Sequence, residues 1–309
     1  MRIAIFGTGG VGGYFGGLLA NSGHEVTFIA RGEHLNAIKS HGLRVKSVNG
    51  DFTIHPARAT DDTPSAGPQD YVIVAVKHYQ LADALHDIRP LVGSQTTLVP
   101  LLNGVDAHEH FIHAFGPDRV VGGLCSLVSM IEAPGIIRQE SVMRQVVVGE
   151  LIRERTDRVE RIIQAWRECG VDAIHAEDIF IAMWTKFLFI ASFGGVSSLS
   201  RASAGEILGC AETKILWIQA MEEVRELART LGIALKPNVV ESAVSLLENF
   251  EPTATSSMQR DVANGRLFEL EAFSGTIKRV GLELGVVTPV HNTIYALLRP
   301  ALDRAMRGS

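Results

Sequence analysis

A glycine-rich stretch after the first apolar run constrains the fold more than any other feature of the chain. Residues 7–12 read GTGGVG, fit the spacing G-x-G-x-x-G, and lie between a strand-like run (Arg2 to Phe6) and a helical pattern (Val11 to Ser22). In that setting the glycines permit a tight turn, a close approach of backbone to a pyrophosphate, and packing of helix on strand. The motif predicts dinucleotide binding, with a purely structural turn as the alternative, through Gly7, Thr8, Gly9, Gly10, Val11 and Gly12.

The chain divides into two halves of different pattern. In the first, short β-branched runs alternate with helical patterns, which favours an α/β fold with a doubly wound, mostly parallel sheet. These runs are Ile3 to Phe6, Glu25 to Ala30, Tyr71 to Val76, Thr96 to Leu101, Val120 to Leu124, Val146 to Gly149 and Val171 to His175. A hairpin over Leu43 to Pro56, turning at Asn49-Gly50, is expected at the sheet edge. From about Asp178 only helical periods follow, so we expect a Rossmann domain over residues 1–177 and an all-helical domain over residues 178–309.

Composition excludes several classes of protein. Hydrophobic residues make up 46% of the 309 residues and charged residues 20%, which is typical of a soluble globular protein. A net charge of −5 gives no basic face for nucleic acid or an anionic membrane. The three cysteines share no C-x-x-C spacing, so buried thiols are expected rather than disulfides or a thiolate metal site. No secretory signal is visible, which predicts a cytoplasmic protein.

The end of the second predicted strand indicates which dinucleotide binds. NAD enzymes carry an Asp or Glu there, about 20 residues after the glycine turn, on the ribose hydroxyls. Here the strand ends Ile29-Ala30-Arg31. A guanidinium forms paired, charge-assisted hydrogen bonds with a 2′-phosphate, whereas an acid would repel it. Arg31 therefore predicts NADP in preference to NAD, and the alternative is a solvated loop arginine.

One lysine lies in an otherwise apolar run. Lys186 is the only ionisable side chain between Ile179 and Val196. Its charge and the Gly194-Gly195 pair favour a core helix over a membrane span. Because an ammonium in apolar surroundings is costly or has a lowered pKa, Lys186 is the first candidate for catalysis.

Polar residues that follow strands supply further candidates. Ligands of open α/β sheets lie beyond the carboxyl ends of the strands, where Lys77 and Asn103 stand. Asn103-Gly104 fits a plain turn equally well. In the second half, a helix predicted over Ser257 to Leu284 places Glu269 within an apolar stripe, although Asn264-Gly265 could kink it. Glu269 is therefore expected to point inward, as an ion-pair partner or a site residue.

The histidines near residue 110 are the remaining cluster. His108, His110 and His113 have no acid or cysteine at a metal-binding spacing, and an amphipathic surface helix explains them. No metal is assigned.

Taken together, these motifs resemble the ketopantoate reductase (2-dehydropantoate 2-reductase) family over nearly the whole chain. The resemblance lies in the N-terminal GTGGVGG turn, Arg31, the AVK ending at Lys77, the LNG around Asn103, the Trp184-x-Lys186 helix, and Ser256-Ser257-Met258 followed by Glu269. It implies an NADP-binding Rossmann domain followed by a helical domain of the 6-phosphogluconate dehydrogenase C-terminal type. The long apolar helical half is compatible with a homodimer.

The resemblance also implies roles for single residues. Lys186 falls on the catalytic lysine, which polarises the carbonyl of a 2-oxo acid and donates its proton, with Asn103 and Glu269 holding the ammonium. The NADPH contacts fall on Gly7 to Gly12, Arg31, Lys77 and Asn103, with Ser129 as a further backbone contact. Glu269 matches a glutamate near the nicotinamide, and Ser257 a serine that contacts the substrate carboxylate.

The sequence departs from the family at the substrate side. Members with ketopantoate activity tend to have asparagines at four positions that here are Ile190, Gly194, Ala204 and Ala254. A lost polar contact commonly costs about 0.5–1.5 kcal/mol, so four of them can change which oxo acid is preferred. The reaction expected is reduction of 2-dehydropantoate to pantoate, in pantothenate biosynthesis, or the same chemistry on another, more apolar 2-oxo acid. A non-catalytic NADP-binding sensor would have no need for an inward Lys186 and Glu269 together.

Overall fold

The computed structural model describes residues 1–308 and divides into two units, one of residues 1–182 and one that begins at Met183. Twelve strands are described, all of them in the first unit. Their bounds are β1 Arg2–Phe6, β2 Glu25–Ile29, β3 Leu43–Ser47, β4 Phe52–Ile54, β5 Arg58–Thr60, β6 Tyr71–Val74, β7 Thr97–Pro100, β8 Gly122–Ser126, β9 Ser129–Ala133, β10 Ile136–Gln139, β11 Gln145–Gly149 and β12 Asp172–His175.

Thirteen α-helices are described within residues 1–308, and short 3₁₀ turns and one π-helical turn accompany them. Their bounds are α1 Gly10–Asn21, α2 Gly32–His41, α3 Thr63–Ala66, α4 Leu81–Ile88, α5 Ala107–Phe115, α6 Asp157–Glu168, α7 Ile179–Ser200, α8 Ala204–Gly209, α9 Ala211–Thr230, α10 Val239–Glu248, α11 Ser257–Ala263, α12 Thr276–Leu284 and α13 Pro289–Gly308.

A five-stranded parallel sheet forms the frame of the first unit. Its order is β5-β2-β1-β6-β7, so β1 lies between β2 and β6. Alternate residues of β1 enter two different cores: Ile3 and Ile5 pack on one face, and Ala4 and Phe6 on the other. Apolar side chains on both faces are what a parallel sheet covered on both sides requires. The predicted α/β class with a doubly wound parallel sheet is confirmed.

The predicted hairpin forms, but its predicted place is wrong. β3 and β4 pair antiparallel, with Leu43 opposite Ile54, and Gly50 in the turn has a φ of 114°. The hairpin belongs to a second sheet of order β4-β3-β10-β9, in which Arg44 pairs with Ile136. A pairing between residues so far apart leaves no local signal, and β9 and β10 themselves went unpredicted. The last predicted runs form a third sheet, β12-β11-β8, with β8 antiparallel to β11.

The second unit is all-helical over its described residues, as predicted. α7 is long and apolar enough to cross a membrane by length and composition, and 61% of its most apolar window is buried inside the protein. Aromatic side chains on one face of α7 pack against α9: the Phe193 and Trp217 ring centroids are 6.3 Å apart. This burial is typical of the core helix that the sequence predicts.

The single helix predicted over Ser257 to Leu284 is broken. α11 ends at Ala263, where the Asn264 side chain donates to the Arg260 carbonyl (2.7 Å) and Gly265 takes a φ of 63°. The chain becomes helical again through a π-helical turn at Glu271–Gly275, which leads into α12. The Asn-Gly pair therefore ends the helix rather than only kinking it.

Two side-chain expectations need correction. Cys125 is buried and Cys169 partly buried, but Cys210 is exposed and lies beside Glu212, so not every thiol is buried. His110 and His113 lie on an exposed face of α5, whereas His108 is buried, with its ring 5.4 Å from that of Phe180. Burial lowers the pKa of His108. Its Phe180 partner comes from α7, which no pattern within α5 could reveal.

Candidate active site

The glycine turn connects β1 to α1 in a shape that side chains would spoil. Gly7 has a φ of 96°, and a Cβ on Gly12 would lie 2.2 Å from the Gly7 carbonyl oxygen. A Cβ on Gly9 would meet no atom within 4 Å. Glycine is thus required at position 7 by the backbone conformation and at position 12 by close packing, whereas Gly9 leaves open space beside the N-terminus of α1. That arrangement fits a pyrophosphate, which a helix N-terminus attracts through its N–H groups and dipole.

Ser129 closes one side of this turn. A Cβ on Gly10 would lie 2.5 Å from the Ser129 carbonyl oxygen, so the start of β9 is in contact with the start of α1. The Ser129 hydroxyl is buried and has no hydrogen-bond partner among residues 1–308. A buried hydroxyl without a partner is costly to the folded protein.

Thr8 ties the glycine turn to the end of the second strand. Both the backbone N–H and the hydroxyl of Thr8 donate to the Ile29 carbonyl, at 3.2 and 2.9 Å. Arg31 follows two residues later, at the N-cap of α2, with 70% of its side chain exposed. Its guanidinium Nη2 lies 2.5 Å from Oδ2 of Asp87, on α4. The predicted glycine and arginine contacts thus share one end of the sheet.

Lys77 and Asn103 follow the neighbouring strands β6 and β7, at the same carboxyl end. Lys77 begins a 3₁₀ turn, and its backbone N–H donates to Oε1 of Gln80 (3.1 Å). The segments after the two strands are tied by His78 and Asp106, whose Nε2 and Oδ1 atoms are 2.7 Å apart. Both side chains are largely buried, so this contact fixes the positions of the two segments relative to each other.

A second histidine, His110, completes a cluster with His78 and Asp106 that the sequence did not predict. One ligating atom each from His78, Asp106 and His110 lies within 4.8 Å of the others. The separation of 28 residues between His78 and Asp106 matches no metal-binding motif, so the sequence carries no local signal for this cluster.

In the second unit, Lys186 and Glu269 occupy different elements. Lys186 lies within α7 and is half-buried. Glu269 lies in the loop before the π-helical turn, with only 4% of its surface exposed, whereas Glu271 is exposed. The inward position predicted for Glu269 is correct although the helix that was to carry it is interrupted. The Glu269 carbonyl accepts from Phe273 (3.1 Å), and Phe273 packs on Phe187 of α7.

Ser257 is the exposed first residue of α11. The preceding residue, Ser256, caps α11 by accepting from the N–H of Gln259 (3.0 Å). The Ser256 hydroxyl is also 2.9 Å from that of Ser197, on α7. Ser257 is thereby held in a fixed position relative to the helix that carries Lys186.

Gly194, one of the positions where the family resemblance implies an asparagine, has apolar surroundings. A Cβ on Gly194 would meet Phe273 at 3.5 Å and Met258 at 3.7 Å. The Ala204 N–H donates to the Ala254 carbonyl (2.9 Å), so these two positions adjoin. Ile190 and Gly194 thus lie on α7, the helix that carries Lys186, whereas Ala204 begins α8 and Ala254 lies three residues before α11.

Comparison with known proteins gives matches along the whole chain. The family model described as ketopantoate reductase PanE/ApbA matches residues 3–153, and its C-terminal counterpart matches residues 178–301. A 2-dehydropantoate 2-reductase of Mesorhizobium japonicum is 30% identical, with 97% of each chain covered.

Solved structures agree with these matches. A 2-dehydropantoate 2-reductase from Geobacter metallireducens has a TM-score of 0.92 at 30% identity, covering 97% of this chain and 100% of that one. A D-mandelate dehydrogenase in complex with NADH has a TM-score of 0.88 at 25% identity, covering 98% of this chain and 99% of that one.

Proposed function

Because this chain belongs to the ketopantoate reductase family, we propose that it reduces a 2-oxo acid to a 2-hydroxy acid with NADPH, 2-dehydropantoate being the first substrate to test. The family and the enzyme class, an NADP-dependent oxidoreductase, were predicted from the sequence and are confirmed. The observation that carries the proposal is that one chain combines the open glycine turn with a buried Glu269 and a half-buried Lys186.

The first unit has the groups that a nicotinamide dinucleotide needs. The cofactor, when bound, supplies the hydride. The open side of Gly9 and the N-terminus of α1 accommodate the pyrophosphate, and the Ser129 backbone lies beside Gly10 at the same turn. Arg31 is assigned to the 2′-phosphate, and Lys77 and Asn103 to contacts along the nucleotide, because each of them follows a strand at the same sheet end.

In the second unit, we assign the proton transfer to Lys186. An ammonium donates a hydrogen bond to the substrate carbonyl, polarises it, and passes a proton to the oxygen as negative charge develops there. The buried carboxylate of Glu269 is assigned to hold that ammonium, and Ser257 to receive the substrate carboxylate. General acid catalysis of this kind commonly contributes about 10²–10⁴-fold in rate.

A second candidate is the same reaction on a more apolar 2-oxo acid. It is favoured by Gly194, where an added Cβ would meet Phe273 and Met258, and by the backbone hydrogen bond between Ala204 and Ala254. None of these three positions offers a side-chain amide to a hydroxylated substrate. The similarity to a D-mandelate dehydrogenase supports it. A panel of 2-oxo acids, with NADPH consumption followed at 340 nm, separates the candidates.

The panel has three outcomes. A kcat/KM highest for 2-dehydropantoate supports the first candidate, and one highest for an aromatic or branched apolar acid supports the second. If the chain binds NADPH tightly and reduces no acid, the catalytic proposal fails and the sensor hypothesis replaces it.

The remaining assignments belong to the same proposal. We assign residues 1–177 to cofactor binding and residues 178–309 to substrate binding and dimerisation, in a cytoplasmic enzyme. Sedimentation equilibrium tests the homodimer, and a mass equal to that of one chain at micromolar concentration would refute it.

A further inference from the structure

Arg31 meets an acidic partner that its place in the sequence does not suggest. NAD enzymes carry their ribose-binding acid at the end of the second strand, and this chain has none there. The structure brings a carboxylate to that place from another element: Asp87, 56 residues further along, lies 2.5 Å from the Arg31 guanidinium. The Arg31 guanidinium has no other hydrogen bond or ion pair among residues 1–308.

The sheet order places Arg31 and Asp87 on elements that flank the carboxyl end of β1. Arg31 follows β2 and α4 follows β6, and β1 lies between those two strands. The glycine turn leaves the carboxyl end of β1. The Arg31–Asp87 pair thus lies at the sheet end where the adenosine ribose of a dinucleotide binds in such folds.

We propose that Asp87 is a specificity-determining residue that narrows the preference of this enzyme for NADPH over NADH; the inference rests on the proposed function. A 2′-phosphate must compete with Asp87 for the Arg31 guanidinium. The Asp87 carboxylate also repels the phosphate, because both groups are negatively charged. A 2′-hydroxyl, in contrast, donates a hydrogen bond to a carboxylate, as in NAD enzymes. Asp87 therefore weakens binding of one cofactor and strengthens binding of the other.

The test is the affinity of the full-length protein for both cofactors, measured by fluorescence titration for the natural chain and Asp87→Asn. For Asp87→Asn we expect a lower Kd for NADPH and a higher Kd for NADH. The ratio of the NADH Kd to the NADPH Kd should rise about tenfold. Asp83→Asn is the matched control, because it removes the same charge from an exposed position on the same helix. In that variant the ratio should not change.

A second pair of variants separates competition from a general charge effect. In the natural chain, Asp87→Asn lowers the NADPH Kd by a certain factor. In an Arg31→Ala background the same substitution should give less than half of that factor, because no guanidinium remains to be released. An unchanged ratio in Asp87→Asn, or a ratio that moves toward NADH, refutes the inference and leaves the proposed function standing. A natural chain that binds neither nucleotide refutes both.

Discussion

Replacing Gly9 with alanine separates cofactor binding from folding stability. The backbone of Gly9 is extended, with φ −86° and ψ −157°, and an added Cβ meets no atom within 4 Å. Alanine at such a position commonly stabilises a protein by about 0.4–1 kcal/mol through the unfolded state. We therefore expect Gly9→Ala to raise Tm by about 1–4 °C.

The same methyl group lies where the pyrophosphate approaches the turn. Displacing a phosphate from one charge-assisted hydrogen bond costs about 1.5–3 kcal/mol, which corresponds to a loss of about tenfold to a hundredfold in affinity. The assay pairs a thermal melt without cofactor with a fluorescence titration of NADPH. Gly209→Ala is the control, because its Cβ also meets nothing within 4 Å, in the second unit.

NADPH affinity and folding stability together distinguish the functions of the three glycines. Gly209→Ala should leave the NADPH Kd unchanged. Gly12→Ala should lose about 1–3 kcal/mol of stability, because its Cβ would lie 2.2 Å from a carbonyl oxygen. A Gly9→Ala protein that binds NADPH within twofold of the natural chain would refute the placement of the pyrophosphate.

Three further predictions concern stability, positioning and substrate. Burial lowers the pKa of His291 from 6.5 to about 4, so the native protein binds fewer protons than the unfolded chain; its stability should be complete above pH 6.5 and fall by about 3 kcal/mol as the pH drops to 4. Urea unfolding at pH 7.0 and 4.5 checks this, and equal free energies of unfolding would contradict it. His78→Ala removes the contact to Asp106 and should raise the KM for NADPH about threefold to tenfold with kcat nearly unchanged; a fall in kcat alone would contradict a positioning role. Ile190→Asn returns an amide to α7 and should raise kcat/KM for 2-dehydropantoate about threefold to tenfold relative to phenylpyruvate, while an unchanged ratio would remove this residue from substrate selection.

Local pattern was sufficient for much of the fold. The parallel strands were found because each is a short β-branched run buried on both faces, as Tyr71–Val74 shows. The inward position of Glu269 was found because its neighbours Leu270 and Phe273 are buried and fix which side faces the core. That inference held even though Gly265 ended the helix on which it was based.

The features that were missed depend on contacts between distant residues. β10 pairs with β3 across about 90 residues, so neither the second sheet nor the place of the hairpin could be read from a window of sequence. Asp87 reaches Arg31 and His78 reaches Asp106 only after the sheet has formed. In NAD enzymes the ribose-binding acid follows the second strand, whereas here the acid, Asp87, comes from α4.

The central claim is that Lys186 donates the proton, and its replacement tests this most directly. NADPH consumption with the preferred 2-oxo acid should be measured for the natural chain, Lys186→Met and Lys186→Ala, together with NADPH affinity for each. Lys214→Ala, on α9, is the control for loss of a lysine charge from the same unit. We predict a fall in kcat of at least a hundredfold in both Lys186 variants, with the NADPH Kd unchanged. A variant that keeps more than a tenth of the natural kcat would contradict the assignment.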